Sequence, residues 1–155
     1  MSTMFGDDSV LFQQFVKGRK KAIFPWSLSI VDCFFLYNAF KTISADCGPM
    51  TLKRISDNGK QVEFTSIKDA YDLYDVDSDA DGVEVVLLHE SSRALCYWDV
   101  HERFVVVAGE DNFLSVARPY PADIEKHRYV ETMLHLEEAS DPNSPESIYA
   151  ALIAS

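Results

Sequence analysis

Three groups of side chains in this sequence have the types and spacing from which chemistry is built. The first is Asp77-Ser78-Asp79-Ala80-Asp81-Gly82, in which three carboxylates at alternate positions precede a glycine. It matches the opening half of a calcium loop, where oxygen ligands surround a hard cation and glycine permits the sharp turn. The second half departs from that pattern: Leu88 stands where a bidentate glutamate is required, and the following residues read as a strand. A calcium site of another kind would draw in Asp75 or Glu84. The plainer alternative is an acidic loop that grips Arg and Lys side chains of a partner, because carboxylates accept charge-assisted hydrogen bonds.

The second group is His127, Glu131 and His135, which recur every fourth residue and would form one stripe of a helix suited to metal ligation. They flank Val130 and Leu134, so histidines of an ordinary amphipathic helix explain the spacing equally well. The third is Cys96 with Asp99 and His101, since a nucleophile needs a base within hydrogen-bond reach. Strand geometry works against it: Cys96 and Asp99 point to opposite faces and His101 falls at a turn. The six glycines stand singly, at Gly6, Gly18, Gly48, Gly59, Gly82 and Gly109, which leaves no phosphate loop or dinucleotide fingerprint. There is no Gly-x-Ser-x-Gly and no His-Glu-x-x-His either. The expectation is a protein without catalytic residues, metal or cofactor.

The elements that position these groups can be read from periodicity. Asp7, Asp8 and Ser9 offer caps for a short helix pairing Leu11 with Phe15 and Phe12 with Val16, closed by Gly18. Residues 26–43 are apolar nearly all round, and periodicity leaves helix or strand open. Met50 to Ser56 and Gln61 to Ser66 flank Asp57-Asn58-Gly59-Lys60, a hairpin turn signal. Ser66 and Asp69 resemble a capping box for a short helix through Tyr74, with Ile67, Ala70, Tyr71 and Tyr74 on one side. The acidic loop Asp75 to Gly82 follows. Strand-like runs then span Val83 to His89, Ala94 to Val100, Arg103 to Gly109 and Phe113 to Arg118. Pro119 and Pro121 stop the sheet, and a helix runs from about Pro121 to Glu138. Asp141-Pro142-Asn143 breaks it before a last helix capped by Ser144-Pro145-Glu146 and carrying Ile148, Leu152 and Ile153. The fold class expected is α+β, a single domain over 1–155. It has one antiparallel sheet, a meander of about five to six strands, with N-terminal and C-terminal helices packed on it.

Charge sets the kind of partner. The chain has 155 residues and a formal charge of −11. Residues 1–60 hold eight Lys/Arg against five Asp/Glu, whereas residues 61–155 hold six against twenty. Such a field repels nucleic acid and anionic membrane and steers basic partners, although it also serves simply to keep a small protein soluble. The basic cluster Lys17 to Lys21 beside Phe24 and Trp26 would suit single-stranded nucleic acid, but the wider acidity opposes this and a helix C-terminus favours the same residues. The apolar run that follows, residues 22–40, is interrupted by Pro25, Asp32 and Asn38 and reads as core rather than signal peptide or membrane span. Cys33, Cys47 and Cys96 are odd in number and lack a C-x-x-C pair, which suits a reducing, cytoplasmic location.

Small size, local acidity, aromatic content and missing catalytic motifs give a profile that resembles that of bacterial immunity proteins. Those proteins block toxin domains delivered between competing cells, often by filling an active site with carboxylates. The resemblance is one of profile over the whole chain. It implies a stoichiometric inhibitor and a protein partner with a basic surface or cationic cleft. The contact residues expected are Asp75, Asp77, Asp79, Asp81 and Glu84, with Asp99, Glu102, Glu110 and Asp111 on the sheet turns. Three rival readings make different demands. A secretion chaperone requires a homodimer with an apolar groove. A small metal-dependent or cofactor-free enzyme requires a polar pocket around His101, His127 or His135. A mimic of DNA phosphate charge requires acidic residues spaced along one face at nucleic-acid-like intervals.

Overall fold

The structure, a computed structural model, describes residues 9–44, 49–101, 103–136 and 144–155. Its centre is made of runs too apolar to face water on either side. Lys21–Pro25 (β1), Val85–His89 (β4), Ala94–Trp98 (β5) and Phe104–Gly109 (β6) are buried at every position. Short turns join β4 to β5 and β5 to β6, which makes neighbours antiparallel. Met50–Ser56 (β2) and Gln61–Ile67 (β3) form the hairpin, whose turn holds Asp57, Asn58 and Gly59 at φ 51°, 54° and 92°. The result is one six-stranded antiparallel sheet in the order β1-β6-β5-β4-β2-β3.

Successive side chains of a strand point to opposite faces, so the same strands feed two cores. Phe24, Leu52, Val85, Leu87, Cys96, Trp98, Val105 and Val107 pack under Ile30–Ile43 (α1), Ala70–Asp79 (α2) and Asp111–Ala117 (α3). Ile23, Ile55, Val86, Leu88, Leu95, Tyr97, Phe104 and Val106 pack under a π-helical turn, Phe12–Val16, and under Ala122–Leu136 (α4) and Pro145–Ala154 (α5). Each buried Val, Leu or Phe contributes roughly 1.5–3 kcal/mol, so the two cores hold the layers together.

Local signals fix the helix starts. Ser29 and Asp32 form a reciprocal capping box that makes residues 30–43 helical, which decides the segment that periodicity left open. Asp69 caps α2 by accepting from the N–H groups of Tyr71 and Asp72 at 3.0 and 3.2 Å. Ser144 and Pro145 start α5 as expected, and α4 begins directly after Pro121. Ser9 accepts from the N–H of Phe12 at 3.0 Å, and Gly18 takes φ 82° at the end of the first turn.

Several expectations are corrected. The cap of α2 is Asp69 and not Ser66, which is still in the hairpin, and Tyr71 and Tyr74 lie on the outer side while Leu73 and Val76 are buried. The helix continues to Asp79, so most of the expected acidic loop is helical. Phe113 to Arg118 is the helix α3 rather than a strand: Phe113, Leu114 and Ala117 bury one helical face. Gly109 makes this turn close, since a Cβ there would lie 2.6 Å from the Phe113 ring. The sheet therefore ends at Gly109, and Pro119 and Pro121 separate two helices instead. Asp7, Asp8, Cys47, Glu102 and the expected break at Asp141-Pro142-Asn143 lie outside the described residues. Among the described residues no helix is long and apolar enough to cross a membrane.

One edge of the sheet is closed. Arg128 on α4 reaches over β1 to donate to both oxygens of Asp32 on α1, at 2.8 and 2.7 Å, with its guanidinium 5.7 Å from the centroid of the Phe24 ring. The same guanidinium donates to Tyr120 at 2.9 Å. Beside it, Arg118 and the Tyr149 hydroxyl both donate to the buried carboxylate of Glu125.

Candidate functional site

A pocket of about 370 Å³ opens at the end of the sheet where β5 stops and β6 begins. Four parts of the fold supply its wall: Trp26 and Ser27 from the turn between β1 and α1, Tyr74, Asp77, Ser78 and Asp81 from the C-terminal part of α2 and just beyond, Trp98 and Asp99 from the end of β5, and Phe104 from the start of β6. Trp26 is presented by backbone in the left-handed region, φ 63°, which sends its indole outward to remain 46% exposed. Both of the chain's tryptophans line this one cavity.

The carboxylates in the wall are unusually placed. Asp77 Oδ1 accepts from the backbone N–H of Leu28 and from Trp98 Nε1, each at 2.9 Å. Its second oxygen has no donor among the described residues. Asp99 is only 5% exposed and its Oδ2 accepts from the N–H of Arg103 at 3.3 Å. Burial pushes both carboxyl groups above the ordinary aspartate value, against the pull of those hydrogen bonds. Neither is in an ion pair among the described residues. Aromatic rings and carboxylates thus meet in one wall, the two kinds of group that attract a cation, the rings by their quadrupoles and the carboxylates by charge and hydrogen bonding.

The acidic residues singled out in the sequence do not form one surface. Asp77, Asp81 and Asp99 meet at the pocket. Asp75 and Asp79 stand exposed on α2 outside its wall. Glu84 is turned to the other face, where it accepts from the hydroxyls of Ser9 and Tyr97 and ties the N-terminal turn to the sheet. Glu110 and Asp111 lie at the opposite end of β6, roughly 15 Å away along the strand, and there pair with Arg93 at 2.5 Å and Lys20 at 3.0 Å. The sequence reading missed Trp26, Tyr74, Trp98 and Phe104 as site residues. Trp98 alone left a trace, in its adjacency to Asp99 at the end of β5, where aromatic and acid emerge together.

The other candidate groups stay apart. His127, Glu131 and His135 are exposed along α4, and among the described residues no three His, Cys, Asp or Glu side chains come together as metal ligands. Asp77 and Asp79 lie on a helix, not in the loop a calcium site would need. Cys96 is wholly buried and its thiol is held well above the ordinary value by desolvation, the reverse of an activated nucleophile. No protein family, curated protein or solved structure matches the chain. The chemistry of the pocket is therefore the guide to function.

Proposed function

We propose that this protein is a stoichiometric protein-binding inhibitor that takes a cationic side chain of its partner, an arginine above all, into the pocket between Trp26, Tyr74 and Trp98. The observation that supports this reading is the pair Asp77 and Asp99, both desolvated in the wall of a pocket lined by Trp26, Tyr74 and Trp98 and neither in an ion pair among the described residues, although His101 and Arg103 lie close enough to Asp99 to offset part of its burial. A buried carboxylate without a counter-ion costs stability that an incoming cation restores. A guanidinium suits the site better than an ammonium, because it stacks on rings while its edge donates to a carboxylate. The profile shared with immunity proteins supplies the class of partner: a toxin domain with a basic cleft, met in the cytoplasm. Exposed Asp75, Asp79 and Asp81 beside the pocket would speed that encounter.

Both tryptophans report on the pocket, so intrinsic fluorescence tests it directly. Titration with Nα-acetyl-arginine amide should give a saturable change with a dissociation constant in the millimolar range, about the 4 kcal/mol that one charge-assisted bond and one cation–π contact supply. The neutral isostere acetyl-citrulline amide should give none, and Asp77→Asn with Asp99→Asn should abolish the response. Equal responses to both compounds would remove the cation from the reading. Co-expression with the product of the adjacent gene tests the partner class: a complex that survives gel filtration in wild type and fails in the double variant is expected.

A further inference from the structure

The two edges of the sheet are treated differently. At the β1 edge every strand residue is buried, α4 and α5 lie against it, and Arg128 bridges across it to α1. At the other edge β3 is exposed from Gln61 to Glu63, at Phe64 and at Ser66, and no strand pairs with its outer side among the described residues. Its pairing with β2 runs from Met50↔Ile67 to Ser56↔Gln61 without a slip, so no bulge twists the edge away, and it contains no proline. Val62 and Phe64 point to the same face and are 47% and 73% exposed. Phe64 is the most exposed large apolar side chain described. Natural sheets normally bend, charge or cover such an edge, because its unpaired N–H and C=O groups are a template for another strand.

We propose that β3 pairs antiparallel with β3 of a second copy of this chain, with Phe64 opposite Phe64 on a two-fold axis perpendicular to the sheet. Three observations select a second copy as the occupant. Among the described residues only one edge is open, so the pairing closes at two copies instead of propagating into a fibre. The local charge permits close approach: residues 50–68 hold four Lys/Arg against two Asp/Glu, within a chain of net charge −11, so the copies meet through a stretch free of the net acidity found elsewhere in the chain. Register supplies the third. A two-fold axis of this kind pairs residues that share a face, and centring it on Glu63 would set carboxylate against carboxylate. Centring it on Phe64 sets ring beside ring, Glu63 beside Thr65 and Val62 beside Ser66. The pocket at the end of β5 lies across β4 and β2 from this edge, which leaves it open in each copy.

The test is light scattering on the full chain over a concentration series, followed by a register-specific cross-link. Wild type should show twice the monomer mass, and Phe64→Asp should return the monomer mass with an unchanged melting curve. In a Cys47→Ser background, oxidised Phe64→Cys should form a disulfide-linked dimer, while Val62→Cys should not, because it faces Ser66. A monomer at every concentration overturns the proposal, as does a dimer that Phe64→Asp leaves intact or a Val62→Cys link as efficient as the Phe64→Cys one. None of these outcomes depends on cation binding in the pocket.

Discussion

At the scale of single residues, Trp26 carries a conflict between local conformation and side-chain role. The left-handed region costs a non-glycine residue about 1–2 kcal/mol, and Trp26 occupies it at the turn where β1 hands over to α1. Half of the indole faces the pocket opening, so burial returns only part of that cost. Trp26→Gly removes the strain and loses the half-buried ring together. These effects are of similar size, about 1–2 kcal/mol each, so stability by chemical denaturation should stay within about 1 kcal/mol of wild type. The same variant should weaken the response of Trp98 to acetyl-arginine amide at least tenfold. A loss of stability beyond about 2 kcal/mol, with arginine binding retained, would make Trp26 a packing residue instead of a ligand contact. Asp77 and Asp99 show the same tension in charge. Because burial raises their folded values above the unfolded one, they help stability at acid pH and cost it as pH rises, so at neutral pH both weaken the fold they sit in. Nothing in the sequence marks this. Asp77 reads as one of three equivalent acids in Asp-x-Asp-x-Asp, and only folding distinguishes it, by turning its carboxylate to the Leu28 N–H and the Trp98 indole.

At the scale of elements, Asp32 and Arg128 couple the two helical layers, one on α1 and the other on α4, across the edge of the sheet. Arg128 is 33% exposed and Asp32 5%, so the acid is the partner that suffers when the pair is broken. Arg128→Ala leaves a buried carboxylate without its cation and should cost about 2–3 kcal/mol, below the full range for buried pairs because the guanidinium is partly hydrated. Asp32→Asn with Arg128→Leu should recover a large part of that loss, and the cycle read by thermal unfolding should give a coupling of at least about 1 kcal/mol. Additive single effects would show that the layers are held by apolar packing alone. Which elements were legible follows the same physics of locality. The Asn58-Gly59 hairpin, the meander from β4 to β6 and the Ser144-Pro145 cap are written in short stretches of sequence and appear as read. Helix α3 was not legible, because Phe113 to Arg118 is a short apolar run in which strand and helix periods coincide, and its choice is made by packing on α1 and over Gly109. The outward turn of Tyr71 and Tyr74 was hidden for a related reason. The true cap lies three residues beyond Ser66, which rotates the buried face of α2 onto Leu73 and Val76.

At the scale of the whole molecule, acidity is distributed by location among the described residues: in ion pairs at the Gly109 end, in none at the pocket end, and interleaved with bases along the β2–β3 hairpin. The acids alone do not set the response to pH, because His89 is buried where α1 ends against β4 and the β4–β5 turn. The N–H of Ser91 donates to His89 Nδ1 at 3.1 Å, which makes Nδ1 an acceptor and places the ring proton on Nε2, 3.0 Å from Ser44 Oγ. Ser44 in turn donates to the Phe40 carbonyl at 2.7 Å, and the Phe40 ring stacks on the imidazole at 6.1 Å. A second proton would set N–H against N–H at Nδ1 as well as bury a charge, so desolvation holds the folded value below the ordinary 6.5. The sign follows: the contribution of neutral His89 is complete above pH 6.5. As pH falls it is lost at up to about 1.4 kcal/mol per pH unit, until the lowered folded value has been passed. Asp77 and Asp99 run the other way as they take up protons, so the pH profile of wild type alone mixes the two trends. Comparison with His89→Gln separates them, since the amide keeps polarity but not the titration. Wild type should be the more stable at pH 7.5, and its advantage in urea denaturation should shrink steadily below pH 6.5. An advantage that stays constant down to pH 4 would show that the α1–β4 junction does not sense protons.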